Sequence, residues 1–393
     1  MRHSQYTVTS HDVQQHAVYV CQKHLKLKDH GPKCQVNVIW AVLFWAAARI
    51  SSVAAACASL VKAPSDQAIR NALLATLPEP NELQRRINRA LAGDLPKSLR
   101  RRPQVLAIDL VLIPYHGQPQ VDEDEVYRGQ PKCGTSHFHA YATAYVVRKG
   151  QRWTLAVTFV SKGEDMKDVV QRLRAQVAKT GVHCRYLLLD RGFCSVTVIR
   201  YLHQARCPFL MPMTIRGRKP DHPKGPGGTR IFALWKRSGW SSYTLTNSKK
   251  QTATVSICVK CSNYRGKWDR HGRQAWVYGF WGMEPTSYRW VAETYRLRFG
   301  IESSYRQMHQ ARIRTCTRSP LLRMLYVGIA LILRNVWVWL HWEVLAHRRR
   351  GGRRIDLDQL PFRAMLLWLL HLAEVLLGIE DVVQTERPIT PLS

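Results

Sequence analysis

The run Val105-Leu-Ala-Ile-Asp-Leu-Val-Leu-Ile113 sets a single carboxylate in the middle of an otherwise apolar segment. A run this short, bounded by Pro103 and Pro114, reads as a buried strand rather than a helix. An ionised Asp109 inside it costs several kcal/mol unless a cation, a metal or hydrogen bonds compensate it. Whatever fold the chain adopts must bring such a partner to that acid.

The pattern around the run supplies candidates. His137–Val147 and Trp153–Val160 read as two further strands joined by a turn at Arg148-Lys-Gly-Gln. Gly163–Thr180 reads as a helix with Met166, Val169, Val170, Leu173 and Val177 on its apolar face. Arg185-Tyr-Leu-Leu-Leu-Asp190 is a fourth strand ending on an acid, Val196–Ala205 a helix and Phe209–Met213 a fifth strand. In the order β-β-β-α-β-α-β the first and fourth strands can lie side by side, so Asp109 and Asp190 can meet at one edge of the sheet. The loop acids Asp122–Glu125 read as solvated.

Residues 214–281 break this rhythm with Gly, Pro and cations, followed by alternating segments at Gly239–Thr246, Gln251–Val259 and Gln274–Trp281. They read as a β-rich insertion. Before the core, residues 1–102 are helical. Ser65 is placed to cap a helix carrying Gln67, Arg70 and Asn71, which fits either a helix-turn-helix or a plain helical hairpin. Core elements resume over 282–345, and a helical region occupies 346–393. Val38–Val61 and Met324–Trp342 are apolar enough to test as membrane spans, but each carries an arginine near its middle, Arg49 and Arg334. Both read as buried core helices, and no membrane is expected.

Charge narrows the partner. Lys plus Arg is 59 and Asp plus Glu 27, a net +32, an excess that suits a polyanion. The Trp and Tyr content adds stacking surfaces for bases. The first ten residues lack an apolar core of a secretory signal, and ten Cys without one are expected to stay reduced in a cytoplasm. Cys21, His24, His30 and Cys34 match no common zinc spacing, and Cys258-x2-Cys261 has no second pair, so zinc is not expected.

A third acid lies in Glu293–His309. As a helix, this stretch puts Tyr295, Arg298, Glu302, Tyr305 and His309 on one face. Gly300, costly in a helix, marks a close approach. Asp109, Asp190 and Glu302 together are oxygen ligands suited to Mg²⁺ or Mn²⁺ rather than zinc. Two such ions roughly 3.5–4 Å apart can drive an in-line phosphoryl displacement.

With these residues assembled, the chain resembles the DDE transposases of prokaryotic insertion sequences over about residues 103–342. Asp109, Asp190-Arg-Gly-Phe193 and Glu302 look like the family's acidic triad. Tyr295, Arg298 and Glu302 match the Y-x2-R-x3-E-x6-K signature of one branch, with His309 at the Lys place. The resemblance implies an α/β, RNase H-like core interrupted by the β-rich insertion. It also implies double-stranded DNA, meaning terminal inverted repeats and target, as partner, and two Mg²⁺ ions, with Mn²⁺ as substitute, on the three acids.

It further implies a homodimer in the synaptic complex, cut-and-paste transposition, and a cytoplasmic, nucleoid-associated protein. Tyr295, Arg298, Arg191, Arg306, Arg312 and His309 would contact DNA. Histidine is mostly neutral at pH 7, so Arg306 or Arg312 can take the Lys role. Trp240, Trp268 or Trp235 would stack on a flipped base. Rival readings are an RNase H-like nuclease without strand transfer, a catalytically inactive DNA-binding protein and a membrane-associated basic protein.

Overall fold

The computed structural model describes residues 7–119, 123–148, 150, 152–265, 271–350 and 352–379. Trp268 and Asp122 lie outside them. The chain forms two compact units, Leu91–Arg306 and Met1–Ala90 with Gln307–Ser393.

The second of these units is helical. Its first segment holds α1 (Ser10–Leu25), α2 (Val36–Arg49), α3 (Val53–Ser59), α4 (Asp66–Thr76) and most of α5 (Pro80–Gly93). A capping box starts α1, with Thr9 and Asp12 exchanging backbone-to-side-chain bonds. Val38–Val61 is not one helix. Ile50 takes a left-handed conformation and Ser52 caps α3, so α2 and α3 meet at a bend of 107°. Ser65 caps α4 as expected and leaves Gln67 and Asn71 exposed.

Unit Leu91–Arg306 is an α/β sandwich. A short helix α6 (Lys97–Arg101) leads into β1 (Gln104–Pro114). Then come β2 (Tyr127–Lys132), β3 (Thr135–Val146), β4 (Thr154–Val160), α7 (Met166–Lys179), β5 (Cys184–Leu189), α8 (Val196–Gln204) and β6 (Phe209–Pro212). The insertion holds a helical turn α9 (Arg230–Ala233), β7 (Gly239–Thr246), β8 (Thr252–Arg265) and β9 (His271–Trp281), and α10 (Tyr288–Arg296) follows it. Polar, Gly- and Pro-containing β2 is an edge strand that periodicity does not reveal.

The strands form one mixed sheet in the order β2-β3-β1-β5-β6-β9-β8-β7, with β4 also paired to β3. β1 runs antiparallel to β3 and parallel to β5. The insertion continues this sheet, since β9 pairs with β6 through Leu210 and Phe280. On one face α7 buries Val169, Val170, Leu173 and Val177, and α8 buries Val198, Ile199 and Leu202. On the other, Ala107, Tyr145, Leu188, Leu210, Tyr278 and Phe280 pack with Val291, Tyr295 and Ile301. Side chains alternate along β1, so Asp109 shares the face of Ala107.

The predicted single helix over Glu293–His309 is interrupted. α10 passes into a 3-10 turn at Leu297–Phe299, and α11 (Gly300–Gln310) follows. Helix α12 (Pro320–Trp339) starts at the cap Ser319 and, after a short strand pair His347–Arg349 and Gly352–Arg354 inside the region expected to be helical, α13 (Phe362–Leu377) follows. The apolar stretch Pro320–Val344 is long enough to cross a membrane, and its most apolar part is almost wholly buried inside the protein. Two of its polar residues, Arg334 and Asn335, are themselves buried. Gly328 of α12 admits Ile87 of α5, since a Cβ there would lie 2.6 Å from the Ile87 Cδ1.

Candidate functional site

The register of the two parallel strands sets Ile108 beside Leu189. One step further along each strand come Asp109 and Asp190. The expected meeting of the two aspartates therefore follows from the pairing of β1 with β5. Asp190 stands before the 3-10 turn Arg191–Phe193, with 43% of its side chain exposed, against 17% for Asp109.

The cation between them is Arg298. Its Nη1 donates to Asp109 Oδ2 at 2.8 Å and its Nη2 to Asp190 Oδ1 at 3.2 Å. Only 7% of the arginine side chain is exposed. Its Nε donates to the Tyr295 hydroxyl at 3.0 Å, and its carbonyl accepts from the Tyr145 hydroxyl at 2.9 Å. The guanidinium also lies over the rings of Tyr295 and Phe299, at 5.6 and 5.8 Å.

Around Asp109 the remaining hydrogen bonds are local. The Leu110 N–H donates to Oδ1 at 2.9 Å. Tyr305 donates its hydroxyl to the Asp109 carbonyl at 3.1 Å and stands 2.7 Å from the Thr143 hydroxyl. With the Tyr305 proton spent on the carbonyl, Thr143 is the donor of that pair. Thr143 was not singled out from sequence; its place opposite Asp109 on β3 follows only from the strand register.

Burial is the largest influence on Asp109 and pushes its carboxyl up to about 6; Arg298 and the Leu110 N–H pull it down, while Asp190 adds to the rise. Burial also opposes the charge on Arg298, but Asp109, Tyr295 and Asp190 outweigh it and hold its pKa above the ordinary value. The Tyr305 phenol is raised well above its usual range, first by burial and then by Asp109.

Glu302 is exposed on the first turn of α11. Among the described residues no group of three or more His, Cys, Asp and Glu side chains converges as a metal site. The donor chemistry of the acids suits a hard divalent ion. Asp109 and Asp190 would hold it; as the chain stands, the Arg298 guanidinium occupies the place between them and Glu302 lies outside their cluster.

The other sequence candidates fall in separate places. Arg191 and Arg306 are exposed. His309 and Arg312 belong to the other unit, both half-buried, and burial, with Arg312 beside it, lowers the His309 pKa. Trp240 is 42% exposed and packs on Tyr288 at 4.7 Å, whereas Trp235 lies against Phe232. Trp276, 44% exposed and cross-strand from Lys260, was missed by sequence; its signal is its place in an alternating strand. Gly300 does mark a close approach, since a Cβ there would come 2.8 Å from the Arg152 Nε.

The family described as Transposase DDE domain matches residues 100–336. Among solved structures, the fold is similar to the piggyBac transposase in a synaptic complex with hairpin DNA, determined by cryo-EM. The two share 11% identity with a TM-score of 0.55, covering 100% of this chain and 88% of that one. No curated protein matches the chain in sequence.

Proposed function

This chain belongs to the DDE transposase family, and from that premise we propose that it cleaves DNA strands at the ends of a mobile element and joins them to target DNA by cut-and-paste transposition. The observation that carries the reading is the pair Asp109 and Asp190, on neighbouring parallel strands, held at one guanidinium within the span of the family match. Glu302 on α11 is proposed as the third acid of the triad.

The family's chemistry is phosphodiester hydrolysis followed by attack of a freed 3′-hydroxyl, and DDE transposases generally use divalent metal ions. Mg²⁺, with Mn²⁺ as substitute, is proposed for this chain. The protein's own residues supply binding and orientation. Exposed Arg191, next to Asp190 in the chain, and exposed Arg306, one turn after Glu302 on α11, offer phosphate contacts. Tyr145, Tyr295 and Tyr305 hold Arg298 and the β1 backbone in register. Trp240 offers a face for an unstacked base.

Further parts of the proposal are an origin in a prokaryotic insertion sequence, membership of the Y-x2-R-x3-E-x6-K branch, a homodimer on paired element ends, and location in the cytoplasm with the nucleoid. The structural neighbour is a transposase with DNA in a synaptic complex, which supports double-stranded DNA as the partner. A second reading, a DNA-binding protein without catalysis, is favoured by one observation: Arg298 fills the space between the acids. Incubation with Mg²⁺ and DNA carrying the inverted repeats that flank the gene separates the two. Cut ends and joined products support the enzyme; stable binding without either supports the alternative.

A further inference from the structure

We propose that Arg298 is the resident counter-ion of Asp109 and Asp190 in the DNA-free protein, and that a divalent cation enters between them only by displacing it. This rests on the transposase reading of the same site and adds how the site is regulated. The guanidinium spends one terminal nitrogen on each carboxylate, at 2.8 and 3.2 Å. A divalent ion placed between the two aspartates would meet that guanidinium at contact distance, like charge against like in a site of low exposure. The protein cation and the metal therefore compete for the same oxygens.

The surroundings allow the side chain to leave without unfolding the segment. Tyr145 fixes the Arg298 carbonyl, so the backbone can stay while the side-chain torsions turn. The guanidinium already rests over Tyr295, which is buried, and over Phe299, which is 46% exposed. These rings form a cation-accepting track from the acids to the surface. Arg298 also sits in the three-residue 3-10 turn between α10 and α11, the kind of break that marks hinges in longer helices. Glu302, four residues on, is exposed and outside any cluster, so releasing Arg298 loosens the joint that carries the third acid.

The test is Mn²⁺ binding to the full-length, DNA-free protein, followed by electron paramagnetic resonance of free Mn²⁺ and by Mn²⁺-dependent melting. Wild type is compared with R298Q and R298K. R298Q is expected to bind Mn²⁺ on the order of tenfold more tightly than wild type, to gain more in Tm from the ion, and to lose that gain when D190N is added. R298K, whose ammonium keeps the charge but lacks the two-pronged fork, falls between and covers the case in which R298Q does not fold.

Equal or weaker Mn²⁺ binding by the variants overturns the displacement idea. If wild type still cleaves element ends, the functional reading stands without it. If none of the proteins binds Mn²⁺ and wild type leaves element ends intact, both fall.

Discussion

Arg298 and Asp109 form a buried ion pair, Nη1 to Oδ2 at 2.8 Å, between residues 189 positions apart in the chain. It joins the first strand of the core to the turn after the insertion, and it answers the demand that a carboxylate in an apolar strand makes on the fold.

Removing the cation should cost stability. Breaking a buried pair leaves an uncompensated charge, worth about 3 kcal/mol; Asp190 is too exposed to add to that figure. R298A is expected to lose this much in urea unfolding at pH 8 and clearly less at pH 5, where Asp109 takes up a proton. An equal loss at both values would show that packing, not charge, dominates at Arg298.

The pH profile of stability follows from Asp109. Its native value of about 6 lies above the ordinary 3.8, so the folded state holds the proton more tightly than the unfolded one. That contribution is fully present below 3.8 and is lost as pH rises through about 6, amounting to roughly 3 kcal/mol. D109N does not titrate there. Wild-type stability should therefore fall relative to D109N between pH 4 and pH 7, and the proposed role of the Asp109 carboxylate predicts that cleavage rises across the same window. Parallel stability curves would contradict the assignment.

Gly328 is a packing position. An added methyl would sit 2.6 Å from the Cδ1 of Ile87, which is fully buried. Overpacking costs about 1–3 kcal/mol, and the better helix propensity of Ala returns at most about 1. G328A should be less stable by about 1 kcal/mol in chemical denaturation. I87V removes that Cδ1 but keeps the Cγ1 at 2.8 Å, so the double variant should recover only part of the loss.

Trp240, 42% exposed on the insertion, is the residue proposed to stack on an unpaired base. W240A should leave the unfolding midpoint near wild type and weaken binding to element-end DNA at least fivefold, since one stacked base is worth about 1–3 kcal/mol. The salt slope should stay unchanged, because no phosphate contact is removed. A loss confined to W276A would move the stacking role to Trp276.

Much of the core could be read from residues. Asp109 announced itself as the one acid in an apolar run, Asp190 as the acid ending another, and the strand order let them meet. The break in Glu293–His309 could not be read. A helical wheel puts Arg298 and Glu302 on one face, but a 3-10 turn advances at about 3.0 residues per turn rather than 3.6, which shifts the phase. Arg298 turns inward for partners far off in sequence, and Glu302 stays exposed. The edge strand Tyr127–Lys132 escaped because its pattern is polar and its pairing partner, β3, carries the apolar signal.

The most direct measurement is strand cleavage and joining on DNA carrying the flanking inverted repeats, with Mg²⁺, by wild type and by D109N, D190N and E302Q proteins that bind the DNA equally well. Cut ends and joined products from wild type, abolished by EDTA and reduced at least a hundredfold in each variant, are the expected result. Wild-type rates in any of the three variants would contradict the role given to that acid, and no cleavage by wild type would contradict the account as a whole.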